Sequence, residues 1–94
     1  MSQEQTPFLK LMMKYEIEFK PRSLKDCKKI PRPDLERIFN QIEDMSIDLK
    51  GDIKQLTNYT PEYRLRVGDY RILFETEKNK IIIYRIRHRK DAYK

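Results

Sequence analysis

The chain has 94 residues, of which 38% are hydrophobic and 38% charged, so it fits one small domain with little apolar material to spare. Its net charge is +6, and residues 62–94 carry ten lysines and arginines against five acidic residues, which accounts for +5 of that charge. This balance favours an anionic partner, with a plain basic surface as the alternative. No apolar run approaches the ~20 residues of a membrane span, and the first residues do not resemble a secretory signal.

Residues 1–13 are predicted to be an N-terminal extension, either disordered or a short helix, ahead of a single domain at residues 14–94. Residues 14–19 alternate strictly, with Tyr15, Ile17 and Phe19 on one side and polar residues on the other. Such alternation of β-branched and aromatic residues predicts a strand.

Two helices are predicted next. Pro21 suits the first turn of a helix that places Leu24 and Cys27 on one face, and Pro31 and Pro33 end that helix. Asp34 then suits a cap or the first turn of the second helix. An amphipathic stripe follows at Leu35, Ile38, Phe39, Ile42 and Met45. Cys27 is the only cysteine, which fits a reducing cytosol and predicts a small apolar residue rather than a nucleophile.

Residues 47–60 are predicted to form a loop, and three strands follow at residues 63–67, 70–76 and 80–87. Gly68 and Asp69 supply a tight turn between the first two of these strands. The order β-α-α-β-β-β predicts an α+β fold, in which an antiparallel sheet carries a helical hairpin on one face.

Arginines are predicted to occupy the other face of the sheet. Strict alternation separates Arg64 and Arg66 from the apolar residues of their strand. In the last strand the same rule groups Ile82, Tyr84 and Ile86 on one side and Ile81, Ile83, Arg85 and Arg87 on the other. The predicted patch consists of Arg64, Arg66, Arg71 and Arg87, with Arg89 at its margin. Guanidinium groups bind phosphate through two-point contacts.

The tyrosines and the single histidine indicate a function less clearly than the arginines do. Tyr63, Tyr70 and Tyr84 are predicted to be core residues with exposed hydroxyls, while for Tyr93 a core position and stacking on an RNA base stay open. The sequence shows no carboxylate pair, metal-ligand cluster or Ser/His/Asp set. His88, between Arg87 and Arg89, is either a plain surface residue or a catalytic base.

The strings YRLRVGDYRILFE and RIRHRKDAYK, together with the order of elements, resemble the RelE/ParE superfamily of bacterial toxins over about residues 14–94. The terminal pattern of His88, Arg89 and Tyr93 resembles RelE-type endoribonucleases more than gyrase-directed ParE toxins. The resemblance implies a RelE-like microbial ribonuclease fold in a cytoplasmic toxin that cuts mRNA in the A site of the 70S ribosome. It also implies 2′-hydroxyl attack without a metal or other cofactor, and an antitoxin protein that covers the basic surface.

Roles for particular residues also follow from the resemblance. The implied catalytic set is Arg64, Arg66, Arg71, His88, Arg89 and Tyr93, and the implied RNA-binding set is Arg64, Arg66, Arg87, Lys90 and Tyr93. Within these sets Arg89 acts on the leaving oxygen and Tyr93 stacks on a base. The RelE prototype has lysines where this chain has Arg64 and Arg66, and arginine, with an ordinary pKa above about 12, rarely gives up a proton.

The two arginines therefore suit phosphate binding, and the general base is left to His88, to Glu62, or to no side chain at all. Two other functions of the same fold also stay open. One is inhibition of DNA gyrase, as by ParE, and the other is non-catalytic binding by a basic protein.

Overall fold

A computed structural model describes residues 14–91. The predicted N-terminal extension at residues 1–13 lies outside the described residues, as does Tyr93. The elements are β1 (Glu16–Phe19), α1 (Pro21–Cys27), α2 (Arg32–Met45), β2 (Ile53–Gln55), β3 (Tyr63–Val67), β4 (Tyr70–Glu77) and β5 (Lys80–His88). They form one five-stranded sheet in the order β1-β5-β4-β3-β2 with two helices, which confirms the predicted α+β fold.

The sheet differs from the prediction in two respects. The segment predicted as a loop contains β2, which pairs antiparallel with β3 along the edge of the sheet. The sheet is also mixed rather than antiparallel, because β1 runs parallel to β5, with Phe19 opposite Ile83. A parallel pair needs a long connection, and here the whole chain between β1 and β5 supplies it.

The prolines define where both helices begin. Pro21 is the first residue of α1 and Pro33 lies in the first turn of α2, positions at which the missing backbone N–H costs no helical hydrogen bond. Asp34 lies in the first turn of α2, as predicted, where a negative charge complements the helix dipole. Neither helix of the described residues is long and apolar enough to cross a membrane.

The core lies between α2 and one face of the sheet. Ile38, Ile42 and Met45 are its buried residues from α2, and Leu65 and Phe74 are fully buried opposite them in the sheet. Burying side chains of this size stabilises the fold by about 1.5–3 kcal/mol each. The face of the sheet that α2 covers is called the core face below, and the opposite face is called the arginine face.

Cys27 is half-buried and packs against this core. Burial raises the pKa of its thiol, and the neighbouring carboxylate of Asp26 raises it further. A thiol in such surroundings is a poor nucleophile, because the reactive species is the thiolate.

Candidate nucleic-acid interface

Three arginines stand side by side across the arginine face. Arg66 of β3 is the register partner of Arg71 of β4, and Arg71 is the register partner of Arg87 of β5. Directly opposed residues of neighbouring strands point to the same side of a sheet, and adjacent strands lie about 5 Å apart. These three residues are called the arginine row, and their like charges repel one another in the absence of an anion.

Arg64 lies two residues before Arg66 on the same face of β3, and the loop that precedes β2 holds its side chain. Its Nη1 donates hydrogen bonds to the backbone carbonyl of Asp52 at 2.8 Å and to the Asp52 carboxylate at 3.2 Å. The same carboxylate lies 3.9 Å from Nε of Arg66, whose backbone N–H donates to the Asp52 carbonyl. Asp52, at the entry to β2, therefore orients both arginines of β3.

Arg71 and Arg87 have different surroundings. Nη1 of Arg71 donates to the carbonyl oxygens of Gly68 and Tyr70, at 3.1 Å each. Within residues 14–91, no carboxylate lies at salt-bridge distance from either arginine. These two guanidinium groups are thus positioned by the sheet and still have donors to offer to an anion.

The tight turn between β3 and β4 brings Arg66 and Arg71 into register. Gly68 has a φ of 58°, in the left-handed region that a residue without a side chain adopts most easily. The guanidinium group of Arg37 from α2 lies over this turn, within 3.4 Å of the position that a Cβ at Gly68 would occupy. The turn is therefore constrained by both conformation and packing.

A β-bulge in β5 overturns the predicted alternation of that strand. Leu73 pairs with Arg85 and Phe74 with Ile83, so Tyr84 has no partner in β4. The extra residue shifts the pattern by one position. As a result Ile81, Ile83 and Ile86 all face the core, while Arg85 and Arg87 face the other side.

The bulge also changes the position of one tyrosine. Tyr63 and Tyr70 pack against the core, as predicted. The core prediction for Tyr84 is wrong, because this half-buried residue lies on the arginine face beside Leu73 and Arg87. Lys20 lies over its ring, with Nζ 5.6 Å from the ring centroid.

Arg85 is bound by an acid from α1. Its Nε and Nη2 donate to the two carboxylate oxygens of Asp26 at 2.8 and 2.9 Å, and the Ile86 backbone N–H donates to one of them at 2.9 Å. Burial acts to raise the pKa of Asp26, but the hydrogen bonds from Arg85 and Ile86 outweigh it and hold the pKa below its ordinary value of 3.8. Asp26 thus accepts a hydrogen bond from the backbone of β5 at a position that lies beyond the end of β1.

The remaining predicted site residues are dispersed. His88 is the register partner of Tyr70, and the two rings meet edge to face at 5.5 Å, which places His88 on the core face. Arg89 continues the pairing of β4 and β5 through its backbone N–H, which donates to the Asp69 carbonyl, and its side chain lies 3.8 Å from the Asp69 carboxylate. Lys90 and Glu62 are exposed and lie just outside the strands, Lys90 after β5 and Glu62 before β3. The structure therefore brings Arg64, Arg66, Arg71 and Arg87 together on one face but places His88 on the other.

Sequence reasoning missed Asp26 and Asp52 as positioning residues. Each acts on an arginine that is distant in sequence, Asp26 by 59 residues and Asp52 by 12. No local pattern marks such pairs. Groups of three or more potential metal ligands are absent from the described part of the chain.

Comparison with known proteins gives the family. The family described as ParE toxin of type II toxin-antitoxin system, parDE, matches residues 17–93. Toxin RelE3 of Methanocaldococcus jannaschii is 39% identical over 82 residues, which cover 82% of this chain and 93% of that protein. The chain therefore belongs to the RelE/ParE family of toxins of type II toxin–antitoxin systems, which confirms the resemblance seen in the sequence.

Solved structures agree with this assignment. A RelB-RelE antitoxin-toxin complex from Methanococcus jannaschii contains a chain with a TM-score of 0.67 and 39% identity, and the match covers 78% of this chain and 91% of that one. A chain of the toxin-antitoxin complex RelBE2 from Mycobacterium tuberculosis matches with a TM-score of 0.70 and 25% identity, and the match covers 84% of this chain and 95% of that one.

Proposed function

We propose that this toxin is a ribosome-dependent endoribonuclease that cuts mRNA in the ribosomal A site and so stops translation. The observation that carries the proposal is the arginine row. Arg71 and Arg87 lie in register on the arginine face, and no carboxylate of the described residues lies at salt-bridge distance from either side chain. A row of like charges that is costly in the free protein is understandable if a phosphate backbone binds there.

The proposed reaction begins with attack of a ribose 2′-oxygen on the adjacent phosphorus. The new bond joins the 2′-oxygen to phosphorus and the bond to the 5′-oxygen breaks, which leaves a 2′,3′-cyclic phosphate and a 5′-hydroxyl. The 2′-hydroxyl loses a proton and the departing 5′-oxygen gains one. Arg66, Arg71 and Arg87 bind the non-bridging oxygens and stabilise the negative charge that builds up on them.

Proton transfer is not assigned to His88. The histidine is on the core face, on the far side of the sheet from the row, and arginine is a poor general base. We propose that solvent accepts the proton of the 2′-hydroxyl. Catalysis then depends on orienting the RNA and stabilising charge, and cleavage by the isolated protein is therefore expected to be slow. Arg89, at the same end of the sheet, is the proposed hydrogen-bond donor that stabilises charge on the leaving 5′-oxygen. That oxygen takes its proton from solvent, and Lys90 and Tyr93 are proposed as further RNA contacts.

Two partners belong to this proposal. The similar chains were solved in antitoxin-toxin complexes, and this supports a cognate antitoxin for the present toxin, acting by covering the arginine face. A protein with complementary negative charge would bind this face favourably. The ribosome and its mRNA are the proposed targets, which places the activity in the cytoplasm.

Induced expression in a bacterial host tests the proposal. Wild-type protein is expected to stop growth and the incorporation of labelled amino acids within minutes, while Arg71→Ala relieves both effects. Arg32→Ala is the matched control, because it removes the same charge from a side chain that is 89% exposed on α2, and it should remain toxic. His88→Ala should also remain toxic. Full toxicity of Arg71→Ala would contradict the site.

Inhibition of DNA gyrase is the second candidate, because the matching family carries the ParE description. It predicts a DNA-damage response and blocked supercoiling while early amino-acid incorporation continues. Normal incorporation in growth-arrested cells would therefore replace the first proposal by this one. Continued growth at verified expression would instead favour a non-catalytic binding protein.

A further inference from the structure

An open cleft of about 480 Å³ lies on the arginine face beside the row. Its floor includes Leu73, which is 2% exposed. Tyr84 and Tyr59 contribute aromatic walls, and Lys20 and Arg87 contribute positive charge. Its size is in the range of small-molecule binding sites, which are commonly about 300–1,000 Å³.

The bulge in β5 builds this cleft. Without the extra residue, strict alternation would not place Tyr84 and Arg85 together on the face that carries Arg87. Bulges often re-aim a side chain next to a functional site. Asp26 holds Arg85 by two hydrogen bonds immediately after Tyr84, so the bulged segment is anchored on the side of α1.

The cleft is continuous with the arginine row. Arg87 lines the cleft and is also the register partner of Arg71. A ligand that contacts both regions must combine a flat, partly apolar group with an anionic group a few ångströms away. An unpaired nucleotide has this combination, since its base has a π-face and its phosphate is charged, and proteins bind single strands through aromatic stacking beside cationic side chains.

On the basis of the RNA cleavage proposed above, we propose that the cleft between Tyr59 and Tyr84 is a subsite for one unpaired base of the bound RNA. The base packs against the Tyr84 side chain and Leu73, and Arg87 binds the adjoining phosphate. Lys20, whose ammonium group lies over the Tyr84 ring in the free protein, contacts the phosphate backbone beside the bound base. The subsite fixes the position of the strand along the arginine row.

Fluorescence anisotropy with short single-stranded RNA tests the subsite separately from cleavage. The probes are a fully 2′-O-methylated decamer, which cannot react through its 2′-oxygens, and the same backbone with abasic residues throughout. Wild-type protein at low salt is expected to bind the base-bearing probe about tenfold more tightly, since stacking of one base is worth about 1–3 kcal/mol. Tyr84→Ala should lower this preference severalfold, leaving only the part that comes from stacking on Tyr93, and Tyr84→Phe should keep it in full.

Tyr15→Ala is the matched control, because Tyr15 is a half-buried tyrosine that packs against the core away from the cleft. It should retain the preference, and circular dichroism shows whether each variant is folded. An equal preference in wild type and folded Tyr84→Ala would overturn the subsite, as would the absence of any preference in wild type. If the wild-type protein prefers the base-bearing probe but cuts no RNA in cells, the endonuclease proposal is overturned while the subsite stands.

The other possible occupant is an acidic segment of a protein partner. In that case, a Tyr84→Ala change would weaken binding of the antitoxin encoded beside the toxin while RNA binding stayed as in wild type. This result also overturns the proposal.

Discussion

Arg85 and Arg87 lie two residues apart on the same face of the same strand, yet their surroundings differ. Arg85 donates two hydrogen bonds to Asp26, and the two side chains are 22% and 11% exposed. Arg87 has no carboxylate at salt-bridge distance among residues 14–91. The difference separates an arginine whose donors serve the fold from one whose donors are available to a ligand, although the sequence shows the same residue at both positions.

The largest expected effect is on activity. Arg87→Ala should lower RNA cleavage by about 100-fold, the usual cost of removing one donor that stabilises transition-state charge. Its free energy of unfolding, measured in urea, should stay within about 0.5 kcal/mol of the wild-type value, as is usual for a substitution that breaks no buried pair. Single-turnover cleavage and urea unfolding on the same samples check both values. A large loss of stability would mean that Arg87 is structural like Arg85.

Asp26→Ala should show the opposite pattern. It leaves Arg85 and the Ile86 N–H without their acceptor, and breaking such a pair from one side costs about 3 kcal/mol. Urea unfolding at pH 7 measures this change. Cleavage by the fraction that stays folded should fall much less than in Arg87→Ala. A stability equal to that of wild type would contradict the anchoring role of Asp26.

The same pair predicts a dependence on pH. Because the pKa of Asp26 is lower in the folded state, its contribution to stability is present above its ordinary value of 3.8 and is lost as pH falls through the folded-state value. Asp26→Asn lacks this contribution at every pH. The stability difference between wild type and Asp26→Asn should therefore stay constant at pH values well above 3.8 and shrink as the pH falls below 3.8. A difference that stayed constant throughout would exclude the ionised carboxylate as its source.

Asp52→Ala should have the smallest effect. The Asp52 side chain is 57% exposed, so its ion pairs with Arg64 and Arg66 are screened by water and add less than about 1 kcal/mol. The carbonyl of residue 52 still accepts from Arg64 in the variant. We expect a rise in KM of a few fold with kcat nearly unchanged, measured by steady-state cleavage of a defined mRNA on programmed ribosomes.

Much of the fold follows from local patterns. The alternation in β3 assigns Arg64 and Arg66 to one face, and the spacing of Ile38, Ile42 and Met45 marks the buried side of α2. Gly68 marks the turn that puts Arg66 beside Arg71. These features depend on residues a few positions apart, which sequence periodicity describes well.

The missed features depend on contacts between distant segments or on single-residue irregularities. The run from Ile81 to Ile83 is apolar at every position, so alternation alone could not locate the bulge at Tyr84. The three-residue strand β2 has too little pattern to detect and forms because β3 offers it an edge. The partnership of Asp26 with Arg85 arises only when α1 packs beside β5.

The chemical form of the RNA ends tests the central claim most directly. Ribosomes programmed with a defined mRNA are incubated with wild-type toxin or with Arg71→Ala, and the new ends are mapped and analysed by mass spectrometry. Wild type is expected to yield cuts in the A-site codon with 2′,3′-cyclic phosphate and 5′-hydroxyl ends, and Arg71→Ala at least about 100-fold fewer. Intact mRNA with wild-type toxin, or ends of another chemistry, would contradict RNA cleavage on the arginine row.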